Sequence, residues 1–368
     1  MSNIEWTDET WNPVTGCTPV SPGCLNCYAA GMARRLEAMG RPEYVGLTVH
    51  RKVAPKRFPN EEVEDLVVGG RCAVGSRVVF SGKVNCLEDR LAEPLHWRKP
   101  RRVFVNSMSD LFHEAVPFEF IDRVFALMAL CPQHTFQVLT KRPERMAEYL
   151  REFYREGGRL EGMMGEWEMD HDPWHGRLSV DDDLYRRLGE IDSLTNVWLG
   201  TSVEDQARAD ERIPHLLKCP AAVRFLSVEP LLGAVDLEPW LCSSCGGSGK
   251  VGLDDDEREL VRCGSCMGQG NSGLHWVIVG GESGAKARPC DVQWIRGVVQ
   301  QCRAAKVPVF VKQLGAWPWW KQDRCLCSEC CRNAWPERYR MRLNDRKGGD
   351  PAEWPEDLRV REFPTMRP

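Results

Sequence analysis

Seventeen of the 368 residues are cysteine, and the ones able to do chemistry come in tight groups. Cys17, Cys24 and Cys27 are spaced C-x6-C-x2-C in the stretch from Trp11 to Tyr28, which is rich in glycine and proline. Three thiolates converging from one such loop can ligate three irons of a [4Fe-4S] cluster and leave the fourth iron open. An open iron is a place for a reactant, whereas a fourth cysteine would close the centre for structure or electron transfer. Zinc, or a purely structural set of thiols, is the competing reading of the same residues. A second group, Cys242-Ser-Ser-Cys245 and Cys263-Gly-Ser-Cys266, gives C-x2-C-x17-C-x2-C, the spacing of a zinc site built from four thiolates. Tetrahedral zinc on four thiolates has no free position, so this insertion is expected to be structural. Cys325, Cys327, Cys330 and Cys331 match no standard spacing, and zinc, an auxiliary cluster and plain surface thiols all stand as readings.

Elements that would position the first loop can be read along the chain. Short apolar runs recur at Val78–Ser81, Val103–Asn106, Phe136–Thr140, Val197–Thr201, Val223–Glu229, Trp276–Gly281 and Val309–Gln313, with Trp11–Thr15 as a weaker first strand. Near-continuous apolar strands suit a parallel sheet buried on both faces. Helical patterns lie between most of them, at Cys27–Met39, Phe118–Leu130, Pro143–Tyr154, Ala207–Leu217 and Val292–Ala305. The alternation predicts an α/β fold, a (β/α)8 or partial TIM-type barrel spanning residues 1–322. Segments 53–75, 157–193 and 241–273 read as insertions, and 323–368 as a C-terminal extension rich in Cys, Arg and Trp.

In such barrels function gathers at the C-terminal ends of the strands. Those ends are unusually polar here. They carry Asn106, Ser107, Asp110, Thr140, Lys141, Arg142, Glu204, Ser227, Glu229, Glu282, Lys312 and Gln313. Gly280 and Gly281 would admit a ligand close to the backbone, or simply turn the chain. A formal net charge of -4 does not advertise nucleic-acid binding, although a local basic patch can hide in it. Trp317, Trp319 and Trp320 read as core residues or as a ligand surface. No apolar run approaches a membrane span, so no membrane partner is expected, and the reading is cytoplasmic.

The three-cysteine loop resembles that of radical S-adenosylmethionine (SAM) enzymes, in which three cysteines follow the first barrel strand and an aromatic residue sits beside the last. Tyr28 takes that aromatic place. The usual spacing there is C-x3-C-x2-C, and the longer first gap keeps the zinc reading alive. More closely, the chain resembles a phage-associated family with this three-cysteine motif. The resemblance includes Trp11-Asn-Pro, Asn106-Ser-Met-Ser-Asp-Leu-Phe112, Leu139-Thr-Lys-Arg-Pro143, Ser227-Val-Glu-Pro-Leu231 and Gly280-Gly-Glu-Ser-Gly284. It implies a cluster on Cys17, Cys24 and Cys27, with SAM contacted from Tyr28, Asn106, Ser107, Ser227, Glu229, Gly280, Gly281 and Glu282. It further implies an external electron donor and, in host cytoplasm, a task on modified phage DNA. An isomerisation of a glycyl-thymidine adduct is one such task. The C-x-x-C-x-G-x-G units at Cys242 and Cys263 resemble a zinc centre of the DnaJ cysteine-rich domain, so Zn2+ is implied on Cys242, Cys245, Cys263 and Cys266. A non-catalytic zinc module binding nucleic acid or protein is the alternative.

Overall fold

Alternating apolar strands and amphipathic helices assemble as that pattern demands. The computed structural model describes residues 4–52, 76–155, 193–241, 250–252, 260–262, 273–321 and 338–364. Seven strands form its main sheet: β1 (Glu9–Trp11), β2 (Arg102–Val105), β3 (Thr135–Thr140), β4 (Val197–Ser202), β5 (Val223–Val228), β6 (Trp276–Gly280) and β7 (Val309–Gln313). They lie side by side in chain order, and every neighbouring pair is parallel. Parallel neighbours need long crossovers. Helices α1 (Tyr28–Ala38), α2 (Phe118–Ala129), α3 (Pro143–Arg155), α4 (Gln206–Leu217) and α5 (Val292–Ala304) run between consecutive strands. Asp205 and Asp291 cap α4 and α5, accepting from Arg208 N and Gln293 N at 2.9 Å.

The sheet is curled and open, a partial barrel. Trp6 shows the curl: its ring centroid is 4.9 Å from Phe104 on β2 and 6.2 Å from Trp276 on β6. Four strand spacings separate those strands, roughly 19 Å in a flat sheet. One indole reaches both because the sheet wraps around it. Phe104, Trp198, Phe225, Trp276, Ile278 and Phe310 fill the concave face with Trp6. The residues alternating with them, such as Val103, Val105, Leu199, Val277, Val279 and Val311, pack on the convex side with the helices. The period of two separates the layers.

The closed eight-strand alternative is corrected. Ser76–Phe80, expected as the second barrel strand, pairs antiparallel with Thr48–Lys52 outside the main sheet, and β1 pairs directly with β2. A barrel strand would be covered on both faces, yet Val49 in this ribbon is 48% exposed. The first barrel strand also begins earlier than expected. Val14–Thr15 instead pairs antiparallel with Asn85–Cys86.

The outer edge of β7 is covered by the C-terminal extension. Val311 N donates to Val360 O at 2.8 Å, and Glu362 N to Val309 O at 3.0 Å. Phe363 then enters the concave face, 5.3 Å from Trp276. Cys242, Cys245, Cys263, Cys266 and the four tail cysteines lie outside the described residues, as do 53–75 and nearly all of 157–193. Between the two C-x2-C pairs, Lys250–Gly252 and Leu260–Arg262 form an antiparallel ladder. No helix among the described residues is long and apolar enough to cross a membrane.

Trp6→Ala removes the side chain around which the sheet curls. It should cost about 3–5 kcal/mol, read as a lower urea midpoint. An unchanged midpoint would show that the concave core closes without it.

Candidate active site

The loop carrying the three cysteines leaves β1 and lies across the C-terminal ends of the other strands. Gly16 makes the entry possible. Its φ is +89°, and a Cβ there would stand 2.1 Å from Lys83 O. From that point buried carboxylates at the strand ends hold the loop, directly or through an arginine. Asp110, beyond β2, accepts from Thr140 Oγ1 at 2.6 Å, Lys141 N at 3.0 Å and Arg142 at 3.1 Å. Arg142, only 6% exposed, also donates to Thr18 O at 3.2 Å and reaches Cys17 Sγ at 3.8 Å. Glu204, beyond β4, accepts from Gly23 N at 3.2 Å and from Arg212 at 3.1 Å. Glu282, beyond β6, accepts from Asn26 Nδ2 at 2.9 Å and from Arg288, whose guanidinium also donates to Pro22 O at 2.9 Å. Thr18 Oγ1 shares a hydrogen bond of 2.8 Å with His113 Nε2.

This clamp brings Cys17, Cys24 and Cys27 to the wall of one cavity of about 260 Å³. All three are free thiols. Burial pushes the Cys17 thiol up to about 12, with Asp110 adding to the rise and Arg142 opposing it. Burial raises Cys27 as well. Thiols in such surroundings keep their protons unless a metal cation replaces them, since coordination deprotonates a thiol outright. Among the described residues, no three Cys, His, Asp or Glu side chains are grouped for a single metal ion. An iron–sulfur cubane has other needs, because each iron takes its own thiolate. The other described cysteines, Cys86, Cys131, Cys219, Cys290 and Cys302, do not line the cavity. The donor set fits three irons of a [4Fe-4S] cluster, with no fourth thiolate among the described residues.

Six of the polar residues expected at the site line the same cavity: Tyr28, Asn106, Ser107, Ser227, Glu229 and Glu282. Tyr28 opens α1, and its hydroxyl donates to Ser107 O at 2.8 Å. Asn106 ends β2 in the left-handed region at φ 61°, which asparagine tolerates better than most residues. Its Nδ2 is buried with no partner among the described residues. A buried donor of that kind is one that water or a ligand acceptor can satisfy. Glu229 faces Lys312, whose Nζ is 2.9 Å from both carboxylate oxygens, and Gln313 Nε2 donates to Glu229 at 3.1 Å. Gly280 and Gly281 do not line this cavity. Gly281 serves packing instead: a Cβ there would meet Leu314 O at 2.3 Å. Asn26 and Arg288 escaped sequence reasoning. Asn26 lies inside the cysteine motif, where its polarity was a usable signal. Arg288 sits in an irregular loop with no pattern to single it out.

A family profile described as Protein of unknown function (DUF5131) matches residues 1–342. No curated protein and no solved structure matches the chain.

The clamp makes two buried and exposed pairs directly comparable. Burial works to raise the Glu204 pKa, yet Lys141 and Arg212, with hydrogen bonds from Ser21 and Gly23, hold it below the usual carboxylate range. Its stabilisation is therefore complete above about pH 4.3 and is lost as pH falls through the lower folded value. Glu204→Gln should strand the buried Arg212 charge and cost about 3–5 kcal/mol. Amide hydrogen exchange at residues 21–24 should accelerate with it. Glu114→Gln, at a carboxylate whose side chain is 66% exposed beside Arg142, should cost under about 1 kcal/mol. Equal losses from the two variants would refute the clamp.

Proposed function

The chain belongs to the DUF5131 family, and we propose that it is a radical SAM enzyme acting on a nucleobase adduct. One observation carries this reading. Three free thiols, and no other cysteine among the described residues, share the wall of a cavity lined by both polar and apolar side chains at the C-terminal ends of a parallel half-barrel. When bound, a [4Fe-4S] cluster supplies an iron without a protein thiolate, at which an electron from an external donor can cleave SAM to a 5′-deoxyadenosyl radical. Cys17, Cys24 and Cys27 would hold it.

The chain's own residues supply binding and shelter. Asn106 Nδ2 offers a buried donor to a ligand acceptor. Lys312 and Glu229 present one cation and one carboxylate to the cavity, a match for the carboxylate and amino group of an amino acid moiety. Trp6, Phe104 and Leu139 form an apolar floor on which a flat ring can rest away from water. The proposed substrate is thymine in phage DNA bearing glycine through nitrogen on its methylene. Its α-hydrogen is the weak bond, since the carbon radical is stabilised by both neighbours. As the methylene–nitrogen bond breaks and a methylene–α-carbon bond forms, the radical passes to nitrogen, which takes a hydrogen atom back from 5′-deoxyadenosine, so connectivity changes and mass does not. For the insertion we propose structural zinc on Cys242, Cys245, Cys263 and Cys266, supported by the antiparallel ladder between the two pairs.

Anaerobically reconstituted protein should bind about four irons per chain at this loop and produce 5′-deoxyadenosine from SAM on reduction. Cys24→Ala should abolish both. Zinc alone, without iron or sulfide, would replace this reading with a non-catalytic zinc module. Deuterium on the glycine α-carbon should appear in 5′-deoxyadenosine, and cleavage without that transfer would reject this substrate while keeping the enzyme class.

Zinc content gives a separate check. Cys263→Ala should lose about one zinc equivalent and destabilise the insertion, with iron nearly intact. Parallel loss of both metals would make the two cysteine groups one site.

A further inference from the structure

A second cavity, of about 860 Å³, adjoins the first, and Ser283 lines both. Its walls carry Arg340, Arg342, Arg346 and Lys347, with Trp317 among them. Among the described residues the one carboxylate in that lining, Asp345, is engaged by backbone amides, accepting from Gly349 N at 2.6 Å and Lys347 N at 3.2 Å. Four cations against one engaged carboxylate make a local basic patch on a chain of formal net charge -4.

Local structure orders these cations. Arg338–Arg340 is a strand paired antiparallel with Pro318–Lys321, and the chain continues from it through Met341, Arg342 and Leu343. Met341 and Leu343 pack against the core, while Arg340 and Arg342 are exposed. Alternation therefore sets both side chains on one face, with a step of about 6.7 Å between their Cα atoms where the backbone stays extended. That step is comparable to the spacing of successive phosphates in an extended nucleic-acid strand. Arg340 also lies over the Trp317 ring, 5.3 Å from its centroid. An aromatic face beside a row of cations is the combination that single strands use, with phosphates on the charges and bases on the rings. A single small anion needs no such row, and an acidic peptide gains nothing from the ring.

We propose that this groove carries the sugar–phosphate backbone of a nucleic-acid strand whose target base enters the neighbouring cavity past Ser283. The inference rests on the reading of that cavity as a site for a nucleobase, and it makes the substrate a polymer, not a free nucleoside. A base acted on in this way must leave its stack, so a single strand is the fitting probe.

The test is fluorescence anisotropy of a labelled 20-nucleotide DNA strand titrated with full-length reconstituted protein, without SAM or reductant. Arg340→Ala/Arg342→Ala/Arg346→Ala should weaken binding at least tenfold. It should also flatten the slope of log affinity against log salt by about 2, at ~0.7 per lost phosphate contact. Arg342→Ala alone, at an exposed position tolerant of truncation, should flatten it by about 0.7. Arg303→Ala/Lys218→Ala removes charge at the far end of the sheet and should change affinity less than twofold. Absence of binding by the wild-type chain at low salt would overturn the proposal. So would variants that bind like wild type, or competition by polyglutamate as effective as by unlabelled DNA. Because no SAM cleavage is read, strand binding in a protein that fails to cleave SAM would sink the radical reading alone. Cleavage without strand binding would sink this inference alone.

Discussion

The ion pairs beneath the cysteine loop are the constraint on which the mouth of this half-barrel depends. A loop of glycine, proline and small polar residues has little apolar surface of its own to bury. It keeps one shape because Asp110 with Arg142, Glu204 with Arg212, and Glu282 with Arg288 hold it from three different strand ends. Each pair is expensive to desolvate and costly to break. That makes the pairs better suited to fixing a geometry than to raising overall stability.

The clamp also divides the acidic residues at the rim into two kinds. Glu204 and Glu282 spend their oxygens on the loop and its arginines, and Asp110 spends its own on Arg142 and on the turn from Thr140 to Lys141. Glu229 makes no such bond to the loop and pairs with Lys312 and Gln313 within the cavity. Breaking the Glu229–Lys312 pair therefore leaves the bonds that hold the cysteine loop intact. Asn106 adds a donor of fixed direction, because its own backbone is held in an uncommon conformation by the bond from Asn106 N to Trp11 O at 2.7 Å.

Much of this was legible in the residues. Six of the eight expected strands fall in the main sheet, and the expected first one meets it only at Trp11; continuous apolar runs between helical patterns have few alternatives in a parallel fold. Val78–Ser81 misled for a physical reason: a short apolar run reads the same in a central strand and in a two-stranded ribbon, and only its partner decides. The polar rim pointed to the cavity because strand ends are fixed by the strands themselves. Gly281 was ambiguous, since a close approach to a ligand and a close approach to Leu314 O require the same absence of a side chain. Arg288 acts through space from an irregular loop, which periodicity cannot reveal.

Trp6 and Phe363 lie in the same concave core although almost the whole chain separates them in sequence. Ribosomal synthesis delivers Cys17, Cys24 and Cys27 long before Phe363. Domains of this kind complete their packing only when the last interacting segment has emerged. The thiols are thus made well before the segment that completes the concave core, so packing of that core is a late step in the folding of this chain.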